Sequence, residues 1–351
     1  MPITLTSLRD LEKLGFDDII DVRAPAEWAE DHLPGAINLP VLDDAERAEV
    51  GTIYKQVSPF TARKVGAALV AANAARHLQG PLAEKPGGWR PLVYCWRGGQ
   101  RSGSFASILA QIGWRVEILA GGYKAWRALV VDALYDQPFP CRVVLLDGNT
   151  GSAKTDILNR LPGLGVQVID LEGLARHRGS LFGALPGRQP SQKAFETALA
   201  MAMVGLDPTR VVVLEAESSK VGNCRVPAGV WKAMVAAPRV SIVAPLAARA
   251  AYLARAYGDL SSDGARLAGL IDLLRPLHAG DVIHRWHALA AAGEFATLAG
   301  DLMKCHYDPR YARHRARMAQ AGIELQVDGL AEDDLPAIAA RVVAALPGVG
   351  S

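Results

Sequence analysis

The chain has 351 residues, half of them hydrophobic, and its 38 basic and 36 acidic side chains give a formal charge of +2. That length supports two cores, because single cores rarely grow beyond roughly 250–300 residues, and the near-neutral balance excludes a globally cationic nucleic-acid binder, so any such contact must be local. The four cysteines, Cys95, Cys141, Cys224 and Cys305, form no C-x-x-C pair, which argues against a structural zinc site, a thioredoxin motif or a secreted disulfide framework.

The N-terminal stretch carries early charges and no apolar signal core, and no run approaches the ~18 apolar residues of a membrane span. The expectation is a cytoplasmic protein without a membrane partner. In chain order, Phe16–Val22 predicts a strand, Gly80–Arg90 a turn-rich surface loop and Pro91–Cys95 a second strand. A Gly-rich turn and a helix from Ser102 to Ile112 follow, then a strand at Arg115–Leu119. This βα alternation predicts a parallel α/β sheet. Asp136–Pro140, with two prolines, is the linker candidate, giving domains at 1–137 and 138–351. Beyond it, Arg142–Leu146, Val166–Asp170, Val211–Glu215 and Val240–Ala244 read as strands, and Ala265–Leu298 and Pro309–Ala321 as helical.

Cys95 stands between a strand and a helix, followed by Trp96, Arg97, Gly98, Gly99, Gln100, Arg101 and Ser102. Glycines at such a turn let backbone N–H groups converge into an anion cradle, which lowers the pKa of a thiol at its centre. Arg97 and Arg101 are expected to add positive charge. These residues resemble the rhodanese active-site loop. Asp21-Val22-Arg23, Glu27-Trp28, the segment His32–Pro40 and Gly121–Trp126 resemble the flanking rhodanese motifs, over about the first 130 residues. Common rhodanese loops place four residues between Cys and the loop Arg, whereas Cys95 and Arg101 enclose five. That spacing also matches cysteine phosphatases, leaving a rhodanese-fold phosphatase or sulfurtransferase open.

The second constellation is Gly148-Asn149-Thr150-Gly151-Ser152-Ala153-Lys154-Thr155, after a strand and opening a helix. It fits G-x-x-x-x-G-K-[ST] except that Ala153 replaces the second glycine. Backbone amides and the helix dipole would receive phosphate, Lys154 would add a point charge and Thr155 could ligate Mg²⁺. The substitution is expected to require a negative φ at Ala153. Glu215 and Glu217 are candidate acidic partners, Arg249 and Arg255 candidate phosphate clamps, and a kinase-like module remains an alternative.

The order of these two domains resembles tRNA 2-selenouridine synthases. Ala48–Gln56, the longer Cys95 loop, Asp170–Ser180 with Phe182-Gly183, and Tyr307–Tyr311 carry the resemblance. It implies an N-terminal rhodanese-like parallel sheet with flanking helices and a C-terminal P-loop NTPase-like α/β domain with a helical extension. It also implies a transferase that replaces sulfur by selenium in wobble 2-thiouridine of tRNA, through S-geranylation from geranyl diphosphate and then selenation from selenophosphate. No tightly bound cofactor is implied, and a protein supplying selenophosphate is a candidate partner. Arg176, His177, Arg178, Arg310 and Tyr311, with Arg313, His314, Arg315 and Arg317, are candidate tRNA contacts, since RNA needs local cations and stacking groups.

Overall fold

The computed structural model of the chain describes residues 2–315 and 322–347, with backbone alone for 312–315. The chain divides into two compact units, residues 1–138 with 190–204, and residues 139–189 with 205–351.

In the first unit the elements are β1 (Asp18–Asp21), α1 (Pro25–Glu30), β2 (Ala36–Asn38), α2 (Asp44–Gln56), α3 (Pro59–Gln79), β3 (Pro91–Tyr94), α4 (Gln100–Ile112), β4 (Glu117–Ile118) and α5 (Gly122–Val131). The strands form a parallel sheet in the order β2-β1-β3-β4. Parallel strands are covered on both faces and therefore need apolar runs, and all four residues of β3 are buried. Ile20, Val93, Phe105 and Leu109 share one core with Leu82 and Trp89. The loop 80–90 is thus not merely a surface turn: Trp89 is 3% exposed and its Nε1 donates to Asp18 Oδ2 at 2.7 Å. The third predicted strand contracts to Glu117–Ile118. The helical hairpin α2–α3 and strand β2 escaped prediction, because no strand-like apolar run marks β2 and α2 buries no residue fully.

The second unit begins with β5 (Arg142–Gly148), α6 (Lys154–Leu158), β6 (Gln167–Ile169) and α7 (Leu171–Ala175). After α8 (Gln192–Val204) come β7 (Val211–Glu215), the small hairpin β8 (Lys220–Val221) and β9 (Cys224–Arg225), α9 (Ala228–Ala236), β10 (Arg239–Val243) and α10 (Leu246–Ala256). The five-stranded sheet is parallel in the order β11-β10-β5-β7-β6, where β11 is Ile323–Gln326. Its central strand β5 feeds the Gly-rich loop, so the loop sits at the carboxyl edge of the sheet, where ligands of open α/β folds bind. The predicted helical stretch 265–298 is broken at Arg275–Leu277, which contains a proline, and again at Gly293 with φ +74°. The pieces surround their own core, with Trp286 at 0% exposure. Helix formation at Asp308–Arg315 agrees with the sequence, while Arg317 and the side chains of Arg313, His314 and Arg315 lie outside the described residues.

α8 follows the linker by more than fifty residues in sequence yet belongs to the first unit. The buried Asp31 carboxylate accepts from Tyr123 Oη and from Thr197 Oγ1, each at 2.8 Å. Arg127 pairs with Glu196, which also accepts from Tyr135 Oη at 2.8 Å. The split at 137/138 therefore leaves out a helix that completes the first unit.

Candidate functional site

Cys95 follows the last residue of β3, and two glycines let its loop close against the turn before α5. A Cβ on Gly122 would lie 2.2 Å from Cys95 O and 2.6 Å from Gly98 N, and one on Gly98 would lie 2.5 Å from Leu119 O. Both glycines have positive φ, +56° and +66°, a region that costs other residues energy. Tyr123 N–H and Lys124 N–H donate to Cys95 O and Trp96 O, both at 2.9 Å, locking the two turns together. The thiol is 4% exposed, and Ser102 Oγ lies 3.2 Å from Sγ and 3.1 Å from Gly99 O. Burial pushes the thiol up, but the Ser102 hydroxyl and the backbone N–H groups of Ser102, Arg97 and Gly99 outweigh it, so its pKa falls below the ordinary value.

The predicted arginine contribution is corrected by this geometry. Arg97 is exposed, and Arg101 is held by Glu27 at 2.7 and 3.3 Å. Glu27 also takes Arg47 at 2.9 Å. Burial would raise the Glu27 carboxyl, but Arg101, Arg47 and the Ala24 N–H hold it below the usual range. Thiolate stabilisation thus comes from a hydroxyl and amides, and Arg101 is braced beside the loop. Beneath it, Arg23 is 1% exposed, pairs with Asp21 at 2.6 Å and lies 4.0 Å over the Tyr123 ring. Tyr94 Oη accepts from Leu33 N–H at 3.1 Å, so it anchors the scaffold. Trp96 packs against Tyr123, with ring centroids 5.3 Å apart, and Gln100 opens α4.

The loop after β5 is equally tight. A Cβ on Gly148 would sit 2.3 Å from Ser152 Oγ, and one on Gly151, at φ +82°, would sit 2.9 Å from Arg249 O. Ser152 Oγ is buried and has no hydrogen-bond partner among the described residues. Ala153 has φ +56° and ψ +26° and is 2% exposed. The expectation of a negative φ is therefore wrong: alanine occupies the left-handed conformation that favours glycine, at a cost of about 1 kcal/mol, while its buried methyl packs in the core. Lys154 Nζ donates to Gly148 O at 3.0 Å, and Thr155 Oγ1 donates to Glu172 Oε2 at 2.9 Å. α6 has only five residues, so its dipole is weak, and Lys154 and the loop amides carry the attraction for anions.

A cleft of about 350 Å³ opens over this loop, lined by Thr150–Asp156, Glu172, Arg178, Glu217, Tyr257 and Tyr311 among others. Glu172 and Glu217 converge on Gly179, where a Cβ would be 2.4 Å from Glu172 Oε1 and 2.8 Å from both Glu217 oxygens. Burial and the charge of Glu217 push the Glu172 carboxyl up to about 8, against the pull of Lys154 and Thr155. Burial also raises Glu217. Burial would lower the Lys154 ammonium, but Tyr311, Glu217, Glu172 and Asp147 raise it above its ordinary value.

A family model described as "tRNA 2-selenouridine synthase AAA domain" matches residues 141–268, and one described as "Rhodanese-like domain" matches residues 4–129. A tRNA 2-selenouridine synthase of Pseudomonas entomophila is 34% identical over 355 residues, covering 92% of this chain and 94% of that protein. Those of Aeromonas salmonicida and Hahella chejuensis are each 39% identical, covering 73% and 68% of this chain and 68% and 63% of theirs. The chain belongs to the tRNA 2-selenouridine synthase family.

The segment Asp170–Ser180 contributes Glu172, Arg178, Gly179 and Ser180 to the wall of the cleft over the Lys154 loop. Sequence reasoning singled out the segment but missed Glu172, whose signal was an acid two residues past the helix cap Asp170 at a strand end. Of the two acids proposed instead, only Glu217 lines the cleft. Glu215 is 0% exposed, accepts from Leu171 N–H at 3.0 Å and faces Asp170, and burial raises it well above the carboxylate range. Arg178 turns inward, bonding Asp259 at 3.0 Å with its guanidinium 4.6 Å over Tyr257. His177 is half-buried and Arg176, at φ +49°, is exposed. Arg310 is exposed, whereas the Tyr311 ring lies 5.9 Å from Lys154 Nζ. Arg249 and Arg255 do not offer free guanidiniums: Arg249 braces Thr150 O at 3.1 Å and Asp308 at 2.8 Å, and Arg255 donates to Leu330 O at 3.0 Å.

A second pocket of about 80 Å³ shares Thr150, Ser180, Leu253 and Tyr257 with the cleft and continues between Phe182, Leu260, Leu267, Phe295, Leu298 and Leu302. The cleft beside Lys154 and an aliphatic and aromatic slot are therefore neighbours that share these four wall residues. Among the described residues no group of three His, Cys, Asp or Glu side chains is placed to hold a metal ion. The Thr155 hydroxyl with two facing carboxylates nevertheless fits a hard cation that takes its remaining ligands from phosphate and water. No helix among the described residues is long and apolar enough to cross a membrane.

Proposed function

We propose that this tRNA-modifying transferase exchanges sulfur for selenium at wobble 2-thiouridine in two stages, with geranyl diphosphate held in the second unit and selenophosphate at Cys95. The adjacency of the Lys154 cleft and the apolar slot, which share Thr150, Ser180, Leu253 and Tyr257, carries this reading. A prenyl diphosphate needs an anion cradle and a greasy channel in line, whereas a nucleotide base needs polar edges. At about 10–15 Å³ for each water-sized group, the 80 Å³ slot takes about one isoprene unit, with the nearer unit in the wider cleft.

In the first stage the thiocarbonyl sulfur attacks C1 of the geranyl chain. The C–O bond breaks, diphosphate leaves and the N3 proton of the uridine is released. Lys154, Ser152 and the loop amides hold the departing charge in place, as preorganised donors do. Mg²⁺ bound by Thr155, Glu172 and Glu217 would supply further neutralisation of the diphosphate. In the second stage the selenium of selenophosphate attacks C2 and geranylthiol leaves. Water takes the phosphoryl group as phosphate, leaving the selenocarbonyl. The amide ring around Cys95 suits the phosphate portion, and its stabilised thiolate assists the transfer.

The test is to incubate the protein with 2-thiouridine tRNA and geranyl diphosphate, add selenophosphate, and read the nucleosides by mass spectrometry. Lys154→Ala should lose the geranylated intermediate. Cys95→Ser should accumulate it and fail to selenate. If Cys95→Ser selenates fully but does not geranylate, the division of labour is wrong. Farnesyl diphosphate should be a poor donor; equal use of both chain lengths would exclude the slot as the tail site.

A further inference from the structure

Among the described large hydrophobic residues, Val57 and Phe60 are the most exposed, at 68%, and Tyr54 beside them is 58% exposed. All three sit at the tip of the α2–α3 hairpin. The tip is firmly built. Val57 N–H and Ser58 N–H both donate to Ile53 O, at 2.9 and 3.0 Å. Ser58 Oγ caps α3 by accepting from Thr61 N–H at 3.1 Å, with Pro59 in the first turn. Gly66 of α3 faces Val50 of α2, close enough that a Cβ there would be in ordinary contact with Val50 Cγ1 at 3.5 Å. These apolar side chains are thus presented to solvent from a fixed scaffold, which costs little ordering entropy on binding.

The surrounding charge has one sign. No Asp or Glu occurs between Glu49 and Glu84. Lys55, Arg63 and Lys64 are exposed and make no ion pair among the described residues. Toward the other end of α2, Arg47 reaches Glu27, the carboxylate that also grips Arg101 of the Cys95 loop. Seven residues separate Arg47 from Tyr54, about 10 Å along a helix. The tip therefore stands a short way from the brace of the reactive-thiol loop, within the same unit.

We propose that this tip docks a single-stranded RNA loop, with Tyr54 and Phe60 stacking on bases while Lys55, Arg63 and Lys64 neutralise neighbouring phosphates. The chemistry favours RNA over an acidic protein: exposed aromatic faces interleaved with unpaired cations match stacked bases on a phosphate chain. The inference rests on the reading that tRNA is the substrate, and assigns its anticodon arm to this hairpin.

The experiment measures binding of a fluorescently labelled anticodon stem-loop RNA to the full-length protein by anisotropy across a salt series. Tyr54→Ala with Phe60→Ala should weaken binding roughly ten-fold or more, as expected for losing base stacks. Lys55→Glu, Arg63→Glu and Lys64→Glu together should reduce the slope of log K against log salt by about two. Because these side chains are exposed, melting temperature and the alkylation rate of Cys95 should match the unmodified protein. If the protein binds RNA and the variants bind equally well, the docking proposal is overturned and the tRNA reading stands. If the unmodified protein binds no RNA, both fall. If the variants sediment as a smaller species than the parent, the tip joins two copies of the chain and the proposal is overturned.

Discussion

The Cys95 loop and the Lys154 loop occupy the same kind of place, where a parallel strand gives way to a helix, and are built from opposite materials. Around Cys95 the stabilising groups are neutral, a hydroxyl and three amides, and the nearby Arg101 is already paired with Glu27. Around Lys154 charges crowd the cleft, with one ammonium against two carboxyls that cannot both ionise cheaply. The neutral surroundings favour the thiolate of one sulfur atom, whereas the charged surroundings set like charges against each other around one ammonium.

The comparison can be broken most forcefully at Lys154. Lys154→Met removes the one ammonium facing Glu172 and Glu217, and losing one partner of a buried charge cluster costs about 3 kcal/mol. Calorimetric affinity for geranyl diphosphate should drop at least a hundred-fold, while iodoacetamide alkylation of Cys95 stays unchanged. An equal loss at both centres would refute their independence.

pH separates the two cradles next. A carboxyl with a higher pKa folded than unfolded binds its proton more tightly in the folded state. For Glu172, the resulting stabilisation is complete below its ordinary value of 4.5 and is lost as pH rises through about 8. The melting temperature should therefore decline across that window. Glu217→Gln should flatten the decline by removing the like charge, and Mg²⁺ should oppose it. A profile unaffected by Glu217→Gln would show that the pair is not coupled.

Ser102→Ala sharpens the neutral side. Removing one hydrogen bond worth roughly 1 kcal/mol should shift the alkylation profile of Cys95 to higher pH and slow alkylation several-fold near neutrality. An unshifted profile would leave the amides as sole stabilisers. The smallest effect belongs to Ala153→Gly. Relief of the left-handed strain, at most about 1 kcal/mol, is partly offset by the lost buried methyl, so thermal melting should rise by a few degrees or stay level. A clear destabilisation would mean that methyl packing dominates there.

Much of this was legible in the sequence. The strands at Pro91–Cys95, Arg142–Leu146 and Val211–Glu215 announced themselves as apolar runs because parallel strands are buried on both faces. Both loops were marked by glycines that the backbone could not replace, such as Gly122 against Cys95 O. The α2–α3 hairpin was hidden because α2 has no fully buried face to impose a period. The partners of the charged groups were hidden too. Nothing in spacing says that Arg101 meets Glu27, seventy-four residues away, or that Thr155 meets Glu172. Arg249 looked like a ligand clamp and proved a strut, because only packing reveals which guanidiniums are already spent.

The excursion of α8 has a practical consequence. The polypeptide leaves the first unit near Pro138 and returns for residues 190–204 before departing again. No single cut can release that unit whole: a fragment ending at 138 strands Asp31, Tyr123 and Arg127 without Thr197 and Glu196. A transplant of the whole unit would carry the helix of residues 192–204 along with it, grafted back through a designed linker.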